Sequence, residues 1–189
     1  MNSLVIGNGE SRKQINLSQF KDYTLIGCNA IHRDMFVDHL VCCDMRMVRE
    51  AQNNLNSKKT IIYTRKEWIT FFSNVQELPE LPYQGSLRID NPFHWNSGPY
   101  AVLLAAMHSD NVTLIGFDLW SNNNKVNNIY KDTANYSSSN SNAVDPNYWL
   151  HQIKKVFECF PNKNFTILNT ANWKIPKEWQ KNNVKFLAL

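Results

Sequence analysis

The sequence predicts an α/β fold: a single Rossmann-like domain with a mainly parallel sheet, helices on both faces and a polar lid segment. Three observations predict it. Short apolar, β-branched runs recur along the chain, several apolar throughout, as strands buried on both faces are. Helical patterns alternate with those runs, which is the signature of crossover units. And 189 residues with 43% hydrophobic side chains suffice for one full-sized core.

Taken in order, the first run, Leu4–Gly7, ends in the glycine loop Gly7-Asn8-Gly9 and passes at once into a polar segment of helical character. Strands are expected at Thr24–Cys28, Leu40–Cys43 and Thr60–Thr64, each an apolar or β-branched run bounded by polar residues. A helical pattern over Met45–Asn53 separates the last two. Pro79, Pro82 and Gly85 mark a loop before a short strand at Ser86–Ile89. A helix over Gly98–His108 and a strand over Val112–Gly116 follow, then a helix over Asn147–Phe160 and a strand over Phe165–Leu168. There is no internal repeat.

Residues 121–145 break the pattern. They are rich in Asn and Ser and nearly devoid of apolar side chains, so they cannot bury enough surface to fold alone. The segment leaves the carboxyl edge of the sheet, where α/β proteins bind ligands. It is expected to be a lid over that edge or a disordered surface insertion.

The net charge of +4 comes from scattered basic residues, adjacent only in the pairs Arg12-Lys13, Lys58-Lys59, Arg65-Lys66 and Lys154-Lys155. That argues against DNA or RNA and suits a phosphorylated small molecule. The four cysteines, Cys28, Cys42, Cys43 and Cys159, show no CxxC or Cys/His metal spacing. Buried, reduced thiols and a cytoplasmic location are expected. Neither a leader pattern nor a membrane-spanning run is present in the sequence. Oligomeric state is left open, a homo-oligomer included.

The opening loop is neither a P-loop nor a dinucleotide fingerprint, because it lacks GxxxxGK[ST] and carries Arg12 at the third glycine position. "GNGES" does supply a flexible turn at Gly9, the Asn8 amide and the Ser11 hydroxyl, groups that suit a phosphate, sugar or base. Other strand ends place Asn29 ("GCNA"), Asp44 with Arg46 ("CCDMR") and Asp118 ("GFDLW") at the same edge, and "HWNSGP" brings Asn96 and Ser97 to the start of the Gly98 helix. Capping alone would explain Asp44, Asn96 and Ser97. Together these residues predict a ligand site. His94 and His151 are the candidate general bases, His32 follows Asn29 closely, and His39 and His108 read as edge or surface residues.

The ordered set "GNGES", "IGCNAIHRD", "NSGPYAVLLAAM" and "VTLIGFDLW" followed by a polar lid resembles the bacterial sialyltransferases of glycosyltransferase family 42, over about Leu4 to Leu168. The resemblance implies inverting transfer of sialic acid from CMP-sialic acid to a glycan without a metal requirement. It implies that Asn8, Gly9 and Ser11 line the CMP pocket, that Asn29 faces the donor, that Ser97 and Gly98 bind nucleotide, and that Asp118 lies near ribose or base. Departures are visible. The family's tyrosine after that aspartate is Trp120 here, with Tyr130 or Tyr136 as substitutes at the departing phosphate. No histidine ends the lid before His151, and an arginine before the Ser-Gly is replaced, with His94 nearby. The chain also lacks the long basic C-terminal region of membrane-associated members.

These readings give three expectations. The first is a nucleotide-sugar transferase with no cofactor beyond its donor, acting on a glycan or small-molecule acceptor, with His94 or His151 as base. The second is a nucleotide-binding protein that kept the pocket and lost the base. The third is a Mg²⁺-dependent pyrophosphokinase-like enzyme with Asp44 and Asp118 as metal ligands. The abundance of Asn, Lys, Ile and Tyr suggests an AT-rich genome and a compact bacterial or bacteriophage protein.

Overall fold

A computed structural model describes residues 1–54, 59–121 and 123–189. Eight strands form one sheet: β1 (Asn2–Ile6), β2 (Thr24–Cys28), β3 (His39–Cys42), β4 (Ile61–Thr64), β5 (Val75–Glu77), β6 (Asn111–Ile115), β7 (Asn164–Asn169) and β8 (Val184–Ala188). Their order is β5-β4-β3-β2-β1-β6-β7-β8 and every pairing is parallel. The fold is α/β, as the alternation of apolar runs and helical patterns implies.

Parallel strands buried on both faces need apolar side chains at successive positions. β1 meets this with Leu4, Val5 and Ile6, all fully buried. Val5 joins Ile26 and Val41 on one face, beneath α2 (Ser97–His108) and α3 (Asn147–Cys159). Leu4 and Ile6 join Leu40 and Cys42 on the other, against Met47, Val48 and Ala51 of α1 (Met45–Asn54). Helix α2 is buried from Tyr100 to Ala106, because the sheet covers one side and α3 packs on another.

The chain runs outward from β1 to β5, then returns to place β6 beside β1 on the opposite side. The β1/β6 junction is therefore the topological switch point, and the crevice beyond its carboxyl ends is where sheets of this kind hold ligands. Three glycines, Gly7, Gly9 and Gly116, close that junction. Gly7 N–H donates to Ile115 O at 2.8 Å and Gly9 N–H to Gly116 O at 2.9 Å. A Cβ on Gly116 would lie 2.7 Å from Gly7 O, and its φ of +69° is one that side chains resist.

Several elements differ from expectation. The polar segment after the glycine loop is a five-residue 3₁₀ turn, Glu10–Gln14, rather than an α-helix. Ser86–Ile89 is not a strand. Asp90 accepts a hydrogen bond from Leu87 N–H at 3.2 Å and fixes a 3₁₀ turn over Arg88–Asp90. Two edge strands, β5 and β8, have no counterpart among the expected ones. β5 (VQE) is three residues long and mostly polar, and β8 (VKFLA) breaks its apolar residues with Lys185 and is largely exposed.

Residues 121 and 123–145 contain no helix or strand and only the isolated bridge Lys125↔Asn142. They nonetheless lie against the carboxyl edge. Ile129 N–H donates to Asn8 O at 2.9 Å, and Tyr130, buried in the second core cluster, donates to Asp34 Oδ2 at 2.6 Å while accepting from Arg12 Nη2 at 3.0 Å. Arg33 reaches Thr133 Oγ1 and Ala134 O, and Glu50 accepts from Asn135. Among the described residues no helix is long and apolar enough to cross a membrane.

Candidate functional site

A cavity of about 770 Å³ opens at the switch point. Its wall is built from the ends of β1 (Asn8, Gly9), β2 (Asn29), β3 (Asp44) and β6 (Asp118, Trp120), together with the first residues around α2 (Asn96, Ser97, Gly98). These are the residues that the strand-end argument gathers at one edge. Parallel strands put every carboxyl end on the same side, so local sequence at several distant positions becomes one surface.

Within this wall much of the hydrogen-bonding capacity is already used by the chain. Asp118, only 6% exposed, accepts from Ser11 N–H at 3.0 Å, from the Ser11 hydroxyl, and from Asn169 Nδ2 at 3.2 Å. Its carboxylate thus ties the glycine loop to the ends of β6 and β7. Glu10 N–H likewise donates to Asn127 Oδ1 at 2.9 Å. The Ser11 hydroxyl expected to face a ligand is therefore held by Asp118, as is the Ser11 N–H, and the Glu10 N–H is held by Asn127. Ser11 faces Asp118 and is not part of the cavity wall.

Ser97 does not cap α2. Its hydroxyl donates to Asn29 Oδ1 at 2.9 Å and accepts from Cys43 N–H at 2.9 Å, joining the ends of β2 and β3 to the helix start. Asn29 holds a left-handed φ of 53°, which turns its side chain back across the strand end toward Ser97. Asn96, at the cap position, makes no cap bond, and its amide shares Gln152 Oε1 with its own backbone N–H. Asp44 does act at a helix start, accepting from Arg46 N–H at 2.9 Å and pairing with the Arg46 guanidinium at 2.7 Å. Those Arg46 contacts hold the Asp44 carboxyl below its ordinary value. Asn8 donates to Cys28 O at 3.4 Å and to Tyr136 OH at 3.3 Å, and its buried Oδ1 has no partner among the described residues.

The remainder of the wall is aromatic and amide-rich. Trp68, Trp120 and Trp149 line it with Tyr136, and Asn127, Asn128 and Asn135 add side-chain amides from the 123–145 segment. Trp120 is stacked on Trp173 at 6.0 Å between centroids. Arg65, immediately after β4, is the cationic residue of the wall. Cys28 and Cys43 also reach it, and burial pushes the Cys28 thiol up to about 12. Among the described residues no cluster of three or more His, Cys, Asp or Glu is arranged to hold a metal ion.

Neither candidate base is on this wall. His94 Nε2 lies 3.2 Å from Arg88 Nε, in the 3₁₀ turn Pro92–His94. His151 Nε2 lies 2.7 Å from Asp90 Oδ1, which also accepts from Tyr83 OH at 2.9 Å. Asp90 lines a second cavity of about 800 Å³ formed by the 77–93 stretch. Tyr130 is likewise turned away, toward Arg12 and Asp34, whereas Tyr136 stays on the first cavity. Sequence reasoning missed Trp68, Trp149, Arg65 and the asparagines Asn127, Asn128 and Asn135. Arg65 had a usable signal, since it follows the β4 run as Asp44 follows β3. Trp68 lies in a 3₁₀ helix, Lys66–Phe71, with no such marker.

Compared with protein-family models, with curated proteins and with solved structures, the chain matches none.

Proposed function

We propose that this chain is a nucleotide-sugar-dependent glycosyltransferase of the sialyltransferase-like kind, taking a CMP-type donor and transferring its sugar with inversion to an acceptor hydroxyl. The observation that carries the reading is the convergence of four strand ends and the start of α2 on one cavity at the switch point. Indole faces suit stacking against a base or a sugar ring, and side-chain amides serve both donors and acceptors of hydroxyl groups. The motifs quoted above name the donor class. Binding is the better supported half. An inverting displacement needs a base at the acceptor hydroxyl, and in this cavity the accessible carboxylate is Asp44, ionised by its Arg46 contacts and correspondingly weak as a base.

A second reading is favoured by one observation: both histidines are engaged outside the cavity, His94 by Arg88 and His151 by Asp90. It is a nucleotide-binding protein that does not transfer. A thermal-shift and product assay with CMP, CMP-sialic acid and UDP-, GDP- and dTDP-sugars, with and without Mg²⁺, separates the two. CMP compounds are expected to raise the melting temperature, a ligand at a hundred times its Kd adding about 2.7 kcal/mol. Release of CMP from CMP-sialic acid marks the transferase, and a shift without release marks the binding protein. No shift with any nucleotide at millimolar concentration overturns both.

A further inference from the structure

Among the described residues Arg65 is a cation with no ion pair. The other non-exposed arginines are paired, Arg12 with Asp34 at 2.6 Å and Arg33 with Glu50 at 2.5 Å. Among the described residues Arg65 has no carboxylate partner, although it is partly buried. It is nevertheless fixed in place. Its Nη2 donates to Trp95 O at 2.7 Å, its guanidinium lies 5.0 Å from the centre of the Phe93 ring, and its buried Nε has no acceptor. Partial burial of an unpaired charge is costly, and a rigidly held guanidinium is the usual recognition group for phosphate and carboxylate.

Arg65 borders both cavities, and charge decides which one an anion would use. Glu67, Glu77, Glu80 and Asp90 line the second cavity, and they outnumber its cations Lys66 and Arg88 even with Arg65 added, so an anion there meets an excess of carboxylates. In the first cavity the two carboxylates are already satisfied, Asp44 by Arg46 and Asp118 by Ser11 and Asn169. Arg65 lies near enough to Asp44 to help hold that carboxyl low, but among the described residues no carboxylate contacts its guanidinium.

The geometry points to Arg65 as the anchor for an anionic group, phosphate or carboxylate, on the ligand of the first cavity. It is a binding residue that selects acidic over neutral ligands. The identity of the ligand rests on the nucleotide-sugar reading; the presence of an anion site does not.

The test measures binding of cytidine, CMP, free N-acetylneuraminic acid and CMP-sialic acid to the parent chain, Arg65→Gln and Arg65→Lys, with melting temperature and circular dichroism as checks on folding. CMP should bind the parent more tightly than cytidine. R65Q is expected to weaken CMP by about tenfold or more while leaving cytidine within about twofold, with R65K between, as for loss of a charged hydrogen bond. The same pattern for free sialic acid instead of CMP identifies the carboxylate as the group held. Equal weakening of charged and neutral ligands, or none, overturns the proposal.

If no nucleotide or sugar binds the parent, the functional reading fails and the anion site is judged alone. Phenylglyoxal modification of Arg65 in the parent chain, followed by peptide mass spectrometry in a zwitterionic buffer, should slow when inorganic phosphate is added. An unchanged rate overturns the anion site, and the same measurement decides if R65Q does not fold.

Discussion

At the scale of single residues, the glycine loop works differently from a phosphate cradle. Gly7 and Gly116 let two strand ends approach closely, and Asp118 uses its carboxylate to fasten Ser11 and Asn169. Gly116→Ala puts a side chain at a left-handed φ and 2.7 Å from Gly7 O, so a loss of at least about 1–2 kcal/mol is expected in denaturant unfolding. What sequence made legible here was the convergence of Asn8, Asn29, Asp44, Ser97 and Asp118 on one edge, because a parallel sheet forces strand ends together. The division between groups facing the cavity and groups facing each other was not legible. Ser11 and Asp118 satisfy each other across more than a hundred residues of chain, and no local pattern encodes such a pair.

At the scale of elements, the strongly apolar strands and the three α-helices could be read directly, whereas β5 and β8 could not. β5 is too short and polar to mark itself, and β8 interrupts its apolar residues with Lys185 and stands largely exposed at the sheet edge, so neither has the apolar run of a central strand. Two irregular elements carry predictions. The loop before α2 is pinned to α3 through Asp90 and His151. Burial by itself raises the Asp90 carboxyl, but hydrogen bonds involving His151, Tyr83 and Leu87 outweigh it and leave its pKa below the ordinary value. A lowered carboxylate contributes stability above its unfolded pKa, roughly 3.9, and loses it as pH falls through the folded value. Acid unfolding curves should therefore show a shallower acid limb for Asp90→Asn than for the parent, alongside lower stability at neutral pH. Tyr130 is one of the buried ties that hold the segment at 123–145. Tyr130→Phe removes its bonds to Arg12 and Asp34, about 1–2 kcal/mol of local stabilisation. Faster hydrogen exchange at the Ile129 amide, which donates to Asn8 O, is the expected readout.

For the whole molecule, the two core clusters lie on opposite faces of one sheet and share its strands, Val5 facing one and Leu4 and Ile6 the other. Neither face can be lost while the other keeps its strands. Calorimetry is expected to show a single endotherm whose van 't Hoff and calorimetric enthalpies agree, and two resolved transitions would contradict this coupling. The switch point places the cavity at the seam where the outward and returning halves of the chain meet. Ligand binding there should stiffen both halves at once.

The indoles around that seam give the molecule an optical property of its own. Trp120 borders the cavity while lying nearly parallel to Trp173, with an interplanar angle of 11°. Two chromophores stacked so closely share their excitation, and their joint signal in near-ultraviolet circular dichroism depends on the angle between them. A molecule that slides against Trp120 is expected to tilt or screen one partner of the pair and so change that signal. The cavity thus carries an unlabelled gauge of its own occupancy, readable without knowing in advance what fills it.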